Sequence, residues 1–147
     1  MTPTINGRIQ SRFFLLFIIA PIWTLVLTPF LGGMGDGFLQ VYWNAFQVLV
    51  WVAVLGVLWE LLWHFLQQFR WEKDWPIMFG LFQFIPEGIL IFFIVNQNFL
   101  GLTTGGGVPT GPFLLHFITT VLVTWTWIIG PHRIFFIRWR YQGGRLV

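Results

Sequence analysis

The chain has 147 residues, of which 56% are hydrophobic and 9% are charged, and its mean hydropathy is +0.76. Soluble domains carry about 25% charged residues, so this chain has too few polar groups to cover a surface that faces water. The composition excludes an ordinary soluble enzyme and a disordered regulator. The absence of cysteine excludes a disulfide scaffold and thiolate metal sites. An integral membrane protein is therefore predicted.

Four apolar stretches follow one another along the chain, at 13–31, 41–69, 76–100 and 113–137. About 20 residues of α-helix cross a hydrocarbon core of roughly 30 Å. A helix also satisfies its own backbone hydrogen bonds where water is absent. We therefore expect an all-α, polytopic protein whose four transmembrane helices form a bundle, with 1–147 as a single membrane domain.

The basic residues indicate the orientation of these spans. The first and third connections, 32–37 and 101–112, hold no Lys or Arg, whereas the second, 70–75, holds two. The other basic residues precede the first span or lie at or beyond the end of the fourth. Because cytoplasmic loops are enriched in Lys and Arg, four spans with both termini in the cytoplasm place all eight basic residues on one side. The expected topology is N-in/C-in, with 138–147 as a basic cytoplasmic tail and Arg8 and Arg12 in a polar arm before the first span.

Two proline positions predict breaks in the helices. Pro86 lies inside the third span and should kink it, because proline has no N–H for the carbonyl one turn back. Gly130 and Pro131 should bend or end the fourth span. The basic and aromatic residues that follow are typical of a helix lying at the membrane interface.

Two carboxylates lie within predicted spans. Glu60 is ten residues before the second connection and Glu87 is eleven residues after Pro76, so both should lie ~15 Å deep. Spans joined by a short turn are expected to be antiparallel neighbours. The facing side chains then form an intramembrane polar seam of Glu60, His64, Gln67, Gln83 and Glu87.

Three hypotheses account for this seam. A charge at the bilayer centre costs ~3 kcal/mol or more, so we expect at least one glutamate to be protonated or paired. In the first hypothesis, a neutral glutamate that is hydrogen-bonded to His64, Gln83 or a freed backbone carbonyl fixes the register of the helices. In the second, Glu60, Glu87 and His64 form a path for protons or small cations. In the third, the seam ligates a cofactor or contacts a partner subunit.

The histidines allow a haem or pigment hypothesis. His64 and His116 are candidate ligands, but their predicted depths differ too much for both to bind one haem within one chain. The alternative for His116 is a bond to a threonine of the fourth span, and His132 is expected at the cytoplasmic edge. One Glu-x-x-x-His pair with one further glutamate falls short of a dimetal site. We expect no metal and no cofactor, and the sequence shows no catalytic nucleophile.

The basic cytoplasmic face is expected to contact lipid or a cytoplasmic partner. Its residues are Arg70, Lys73, Arg133, Arg138, Arg140 and Arg145. Their charge is explained by membrane topology, so no nucleic-acid partner is predicted.

These features lead to a ranked set of functional hypotheses. The first is a small accessory, anchoring or scaffold subunit, not an enzyme, that binds other membrane subunits or copies of itself. The first alternative is the proton or cation conduit through Glu60 and Glu87. The second is a pigment- or haem-binding subunit.

Overall fold

A computed structural model describes residues 4–69, 77–97 and 107–146, without the side chains of 77–79 and 140. The described residues are helical, with no strand among them. The helices are α1 (Ile5–Phe14), α2 (Ala20–Leu27), α3 (Phe38–Gln68), α4 (Ile77–Phe82), α5 (Phe84–Asn96), α6 (Thr110–Ile129), α7 (Pro131–Phe135) and α8 (Ile137–Tyr141).

The first span begins earlier than the apolar pattern indicates. Helical structure runs from Ile5 to Phe30, through α1, a π-helical turn at Leu15–Ile19, α2 and a short 3₁₀ turn. The Thr4 hydroxyl accepts from the N–H of Gly7 and caps the N-terminus of α1. Arg8 and Arg12 therefore belong to a helix and not to a polar arm before it, which corrects the expectation from the sequence.

The second and third predicted spans correspond to α3 and to α4 with α5. The 31 residues of α3 make a helix about 46 Å long, which exceeds the hydrocarbon thickness. The third span is interrupted at Gln83, between α4 and α5. The interruption lies one turn before Pro86. Proline has no N–H, so the carbonyl four residues before it loses its usual helical hydrogen bond.

The fourth span corresponds to α6, which ends at Gly130. This glycine has φ −101° and ψ −94°, outside the helical region, and α7 starts directly after it at Pro131. The bend expected at Gly130 and Pro131 is therefore present.

Among the described residues, three helical segments are long and apolar enough to cross a membrane: Ile5–Phe30, Phe38–Gln68 and Thr110–Phe135. The third predicted span contains a shorter apolar helical segment, Gly80–Asn96. The ends of this predicted span, at 76 and at 98–100, lie outside the described residues. The second connection, 70–75, and residues 101–106 of the third connection, 101–112, also lie outside them.

The distribution of polarity is suited to an apolar surrounding. Large apolar side chains such as Phe17, Phe30 and Leu39 are exposed, whereas Asn44 and His116 are fully buried. Small and branched residues fill the core between the helices: Ala20, Ala45, Val48, Ile91 and Val95 are among its members. The exterior can face hydrocarbon because the polar side chains find partners inside.

The two ends of the chain pack against each other in a contact that we call the terminal clasp. The Thr4 N–H donates to the Gly143 carbonyl over 2.8 Å, and the Ser11 hydroxyl donates to the Gly144 carbonyl over 3.2 Å. The Leu146 N–H donates to Gln10 Oε1 over 2.9 Å. Gly143 and Gly144 have positive φ angles, a conformation that favours glycine. The start of α1 and the C-terminal residues therefore lie at the same end of the molecule.

A substitution at Gly7 tests the clasp. A Cβ at Gly7 would overlap the Gly143 carbonyl oxygen, which is backbone and cannot rotate away. We expect Gly7→Ala to lower the free energy of unfolding by about 1–3 kcal/mol, measured by thermal unfolding in detergent. Gly111→Ala is the matched control, because a Cβ there meets nothing within 4 Å. Equal stability of the two variants would contradict a tight contact at Gly7.

Candidate functional site

Four charged side chains from three helices meet inside the molecule. Arg8 and Arg12 come from α1, Glu60 from α3 and Glu87 from α5. The side chain of Glu87 is 1% exposed, and the other three are at most 11% exposed. We call these four residues the arginine–glutamate network.

Arg12 joins the two carboxylates. Its Nη1 lies 3.2 Å from Glu60 Oε1, and its Nη2 forms an ion pair with Glu87 Oε1. The other oxygen of Glu60 lies 3.3 Å from Arg8 Nη1. Each oxygen of Glu60 therefore has its own arginine, while Glu87 is held by Arg12 alone among the described residues.

Further contacts orient the two guanidinium groups. Arg8 Nη2 donates to Gln67 Oε1 over 2.9 Å, and Arg12 Nη2 donates to the Val52 carbonyl over 3.3 Å. The Phe84 ring centroid lies 6.0 Å from Arg12 Cζ, within the range of a cation–π contact.

Helical spacing explains why these residues share one site. Arg8 and Arg12 are four residues apart, so they project from the same face of α1. Val52, Gly56 and Glu60 follow the same spacing along α3. Gly56 provides the space between them, because a Cβ at this position would overlap Arg12 Nε. The glycine lets the guanidinium lie against the backbone of α3.

The network is balanced in charge and lies well inside the helices. Two arginines and two glutamates sum to zero. Arg12 is seven residues from the start of α1, Glu60 eight from the end of α3 and Glu87 ten from the start of α4. These positions correspond to about 10–15 Å along each helix. Removal of one partner would leave a buried charge uncompensated, which typically costs 3–5 kcal/mol.

Three members of the predicted polar seam are brought together and two are not. Glu60, Gln67 and Glu87 belong to the network or contact it. His64 is half-buried, and Glu60 bonds arginines in place of this histidine. Gln83 is buried at the break before α5 without joining the ion pairs.

Arg8 and Arg12 were missed as site residues because their charge was attributed to topology. A signal was present in the sequence: two arginines at i, i+4 directly precede an apolar run, and two intramembrane acids need counter-charges. The start of α1 at Ile5 could not be predicted from the apolar pattern, which begins only at residue 13.

Some buried polar atoms at or near the network have no hydrogen-bond partner among the described residues. They include Arg12 Nε and Glu87 Oε2 in the network and Gln83 Nε2 at the break before α5. Buried polar atoms normally have partners. The second oxygen of Glu87 is therefore one acceptor of the network whose bonding capacity is not used by the described residues.

His116 and His132 are both buried in the packing of the helices. His116 is fully buried, and its Nε2 lies 3.0 Å from Thr24 Oγ1 in α2, not from a threonine of its own helix. His132, expected at the interface, is fully buried among the rings of Phe14, Phe136 and Trp139. Within 4–69, 77–97 and 107–146, no three His, Asp or Glu residues lie together in a way that could hold a metal ion.

The predicted basic contact residues are only partly described. Arg138 and Arg145 are exposed, and Arg133 is half-buried with its Cζ 5.8 Å from the Trp139 ring centroid. Arg70 and Lys73 lie outside the described residues, and the side chain of Arg140 is not described.

An apolar groove lies between α5 and α6. It holds about 460 Å³ and is lined by apolar side chains that include Ile85, Ile89, Leu114 and Ile118. Phe84, which contacts Arg12, also lines it. The apolar lining is suited to hydrocarbon and not to a charged ligand.

Comparison of the chain with protein-family models, curated proteins and solved structures finds no match. Function is therefore inferred from the network and from the surface of the chain.

A double-mutant cycle tests the role of Gly56 in the network. In the wild-type background, Gly56→Ala displaces the Arg12 guanidinium, and we expect a loss of about 1–3 kcal/mol in the free energy of unfolding. In an Arg12→Ala background the side-chain atoms that a Cβ at residue 56 would meet are absent, and alanine is favoured over glycine in a helix by about 1 kcal/mol. The effect of Gly56→Ala should therefore become neutral or stabilising.

The measurement is reversible unfolding of all four variants in the same detergent. Arg12→Ala alone should cost about 3–5 kcal/mol, because Glu87 loses the arginine that holds it. Additive effects of Gly56→Ala and Arg12→Ala would show that the glycine does not accommodate the arginine.

Proposed function

We propose that the chain is a small multi-pass accessory, anchoring or scaffold subunit of a larger membrane assembly, formed with other subunits or with copies of itself. In this proposal it has four membrane spans, and both termini lie in the cytoplasm. The proposal is supported most directly by the closed, charge-balanced network. Its ion pairs connect α1, α3 and α5 to one another and present no charged group to a substrate.

The surface of the chain supports the same proposal. Exposed apolar side chains occur on all the long helices, with Phe17, Val50, Phe93 and Leu115 as examples. Little of the chain lies outside the apolar segments. A protein of this kind has few means of acting except through neighbours in the membrane.

The terminal clasp supports an even number of spans. Hydrogen bonds between Thr4 and Gly143 and between Ser11 and Gly144 join the start of α1 to the C-terminal residues, which favours a topology with both on one side. The positive-inside rule assigns that side to the cytoplasm.

Native mass spectrometry of the protein extracted in mild detergent tests the subunit role. We expect a complex that contains more than one copy of the chain or a further membrane protein. The same preparation of Arg12→Met should lose the complex if the packing of α1, α3 and α5 shapes the contact surface. A stable monomer without a co-purifying partner would contradict the proposal.

A proton conduit is the second candidate, and one observation favours it. Glu87 Oε2 is buried without a partner among the described residues, as a proton-accepting site requires. Arg12 weighs against a cation path, because its permanent positive charge lies between the two carboxylates. The subunit role therefore ranks first.

Proton flux into liposomes separates the two candidates. We expect wild-type protein to conduct no more than protein-free liposomes. Glu60→Gln and Glu87→Gln are the informative variants, and Asp36→Asn, outside the spans, is the matched control. Flux that is present in the wild type and in Asp36→Asn, but lost in Glu87→Gln, would establish the conduit in place of the subunit role.

A further inference from the structure

The end of the chain combines exposed apolar side chains with exposed arginines. We call residues 131–146, which include α7 and α8, the C-terminal segment. Ile134, Phe135, Ile137 and Tyr141 are 68–75% exposed. Arg138 and Arg145 are exposed beside them. Apolar side chains with interspersed positive charge are typical of a segment that lies in the membrane–water interface.

The inner side of the segment is fixed to α1. Phe14 makes ring contacts with His132 and Phe136, with centroid distances of 5.3 and 5.0 Å. Trp139 Nε1 donates to Ser11 Oγ over 2.7 Å, and the terminal clasp holds the residues that follow. The exposed side chains are therefore presented by an anchored backbone.

The depth of the segment follows from the span before it. α6 has 20 residues, or about 30 Å of helix, which matches a core of roughly 30 Å. With α6 across the core, the residues after the bend at Gly130 reach the headgroup region, and α8 follows directly. The exposed Ile134 and Phe135 lie where acyl chains meet headgroups.

The charge of the segment is not compensated from within its own part of the sequence. No Asp or Glu follows Glu87, whereas four arginines lie between 133 and 145. Arg8 and Arg12 come from the neighbouring helix, but they are buried and bound to Glu60 and Glu87. Within the described residues, the positive charge available at this end of the molecule is therefore carried by the C-terminal segment.

We propose that the C-terminal segment is a binding surface for anionic phospholipid headgroups. Arg138 and Arg145 contact the phosphates, since a guanidinium offers paired donors to a phosphate group. Ile134, Phe135, Ile137 and Tyr141 insert among the adjoining acyl chains. A membrane surface accounts for the apolar and the basic side chains together, whereas a soluble acidic partner would leave the apolar ones exposed to water. The inference requires the helices to lie in a membrane but does not depend on a protein partner.

The experiment measures which lipids stay bound to the full-length protein. Protein is equilibrated with equal amounts of phosphatidylglycerol and phosphatidylcholine in detergent, and bound lipids are counted by native mass spectrometry. We expect enrichment of phosphatidylglycerol that falls as salt rises. Arg138→Gln/Arg145→Gln should reduce the enrichment by about fivefold for each arginine.

Two comparisons make the result decisive. Arg138→Lys/Arg145→Lys keeps the charge and should keep most of the enrichment, and thermal unfolding should be the same for both double variants because these side chains are exposed. Equal binding of the two lipids by wild type, or undiminished enrichment in the glutamine variant, would overturn the proposal. The proposal would also be overturned if the wild type showed no lipid preference but bound a soluble protein that the glutamine variant did not bind. The surface would then be a docking site for protein.

Discussion

The pairing of two arginines with two glutamates inside an apolar helical molecule is the constraint on which the arrangement of helices depends. An unpaired charge in such an interior is costly, so α1, α3 and α5 are restricted to positions in which Arg12 reaches both Glu60 and Glu87. Gly56 permits the approach by leaving space beside the α3 backbone. A helix that shifted by one turn would separate Arg12 from one or both carboxylates.

Hydrogen bonds between uncharged polar groups also hold the helices together elsewhere in the core. The Asn44 side chain donates to the Met34 carbonyl over 2.6 Å, and His116 bonds Thr24 across two helices. Where the exterior is apolar, burial of hydrocarbon contributes little to helix association, and close packing with internal hydrogen bonds must contribute more. The functional proposal depends on this feature, because polar groups committed to helix packing are not free for transport.

Much of the fold could be predicted from hydropathy, while the site could be predicted only in part. The apolar run at 41–69 corresponds to α3, and Pro86 correctly indicates a break. The sequence predicts that Glu60 and Glu87 face each other, because their spans are joined by a short connection, and in the structure Arg12 joins the two carboxylates. Arg8 and Arg12 were not recognised, because hydropathy averages over a window and cannot distinguish an arginine before a helix from one inside its first turns. Similarly, His116 could be identified as buried, but its partner Thr24 lies 92 residues away in sequence, beyond any local pattern.

The terminal clasp has a consequence for how the protein is made. Thr4 and Gly143 are 139 residues apart, so the clasp can form only after the residues up to Gly143 have been synthesised. The pairing of Arg12 likewise requires that Glu60 and then Glu87 have been made. α1 therefore cannot reach its final surroundings before the later helices are present.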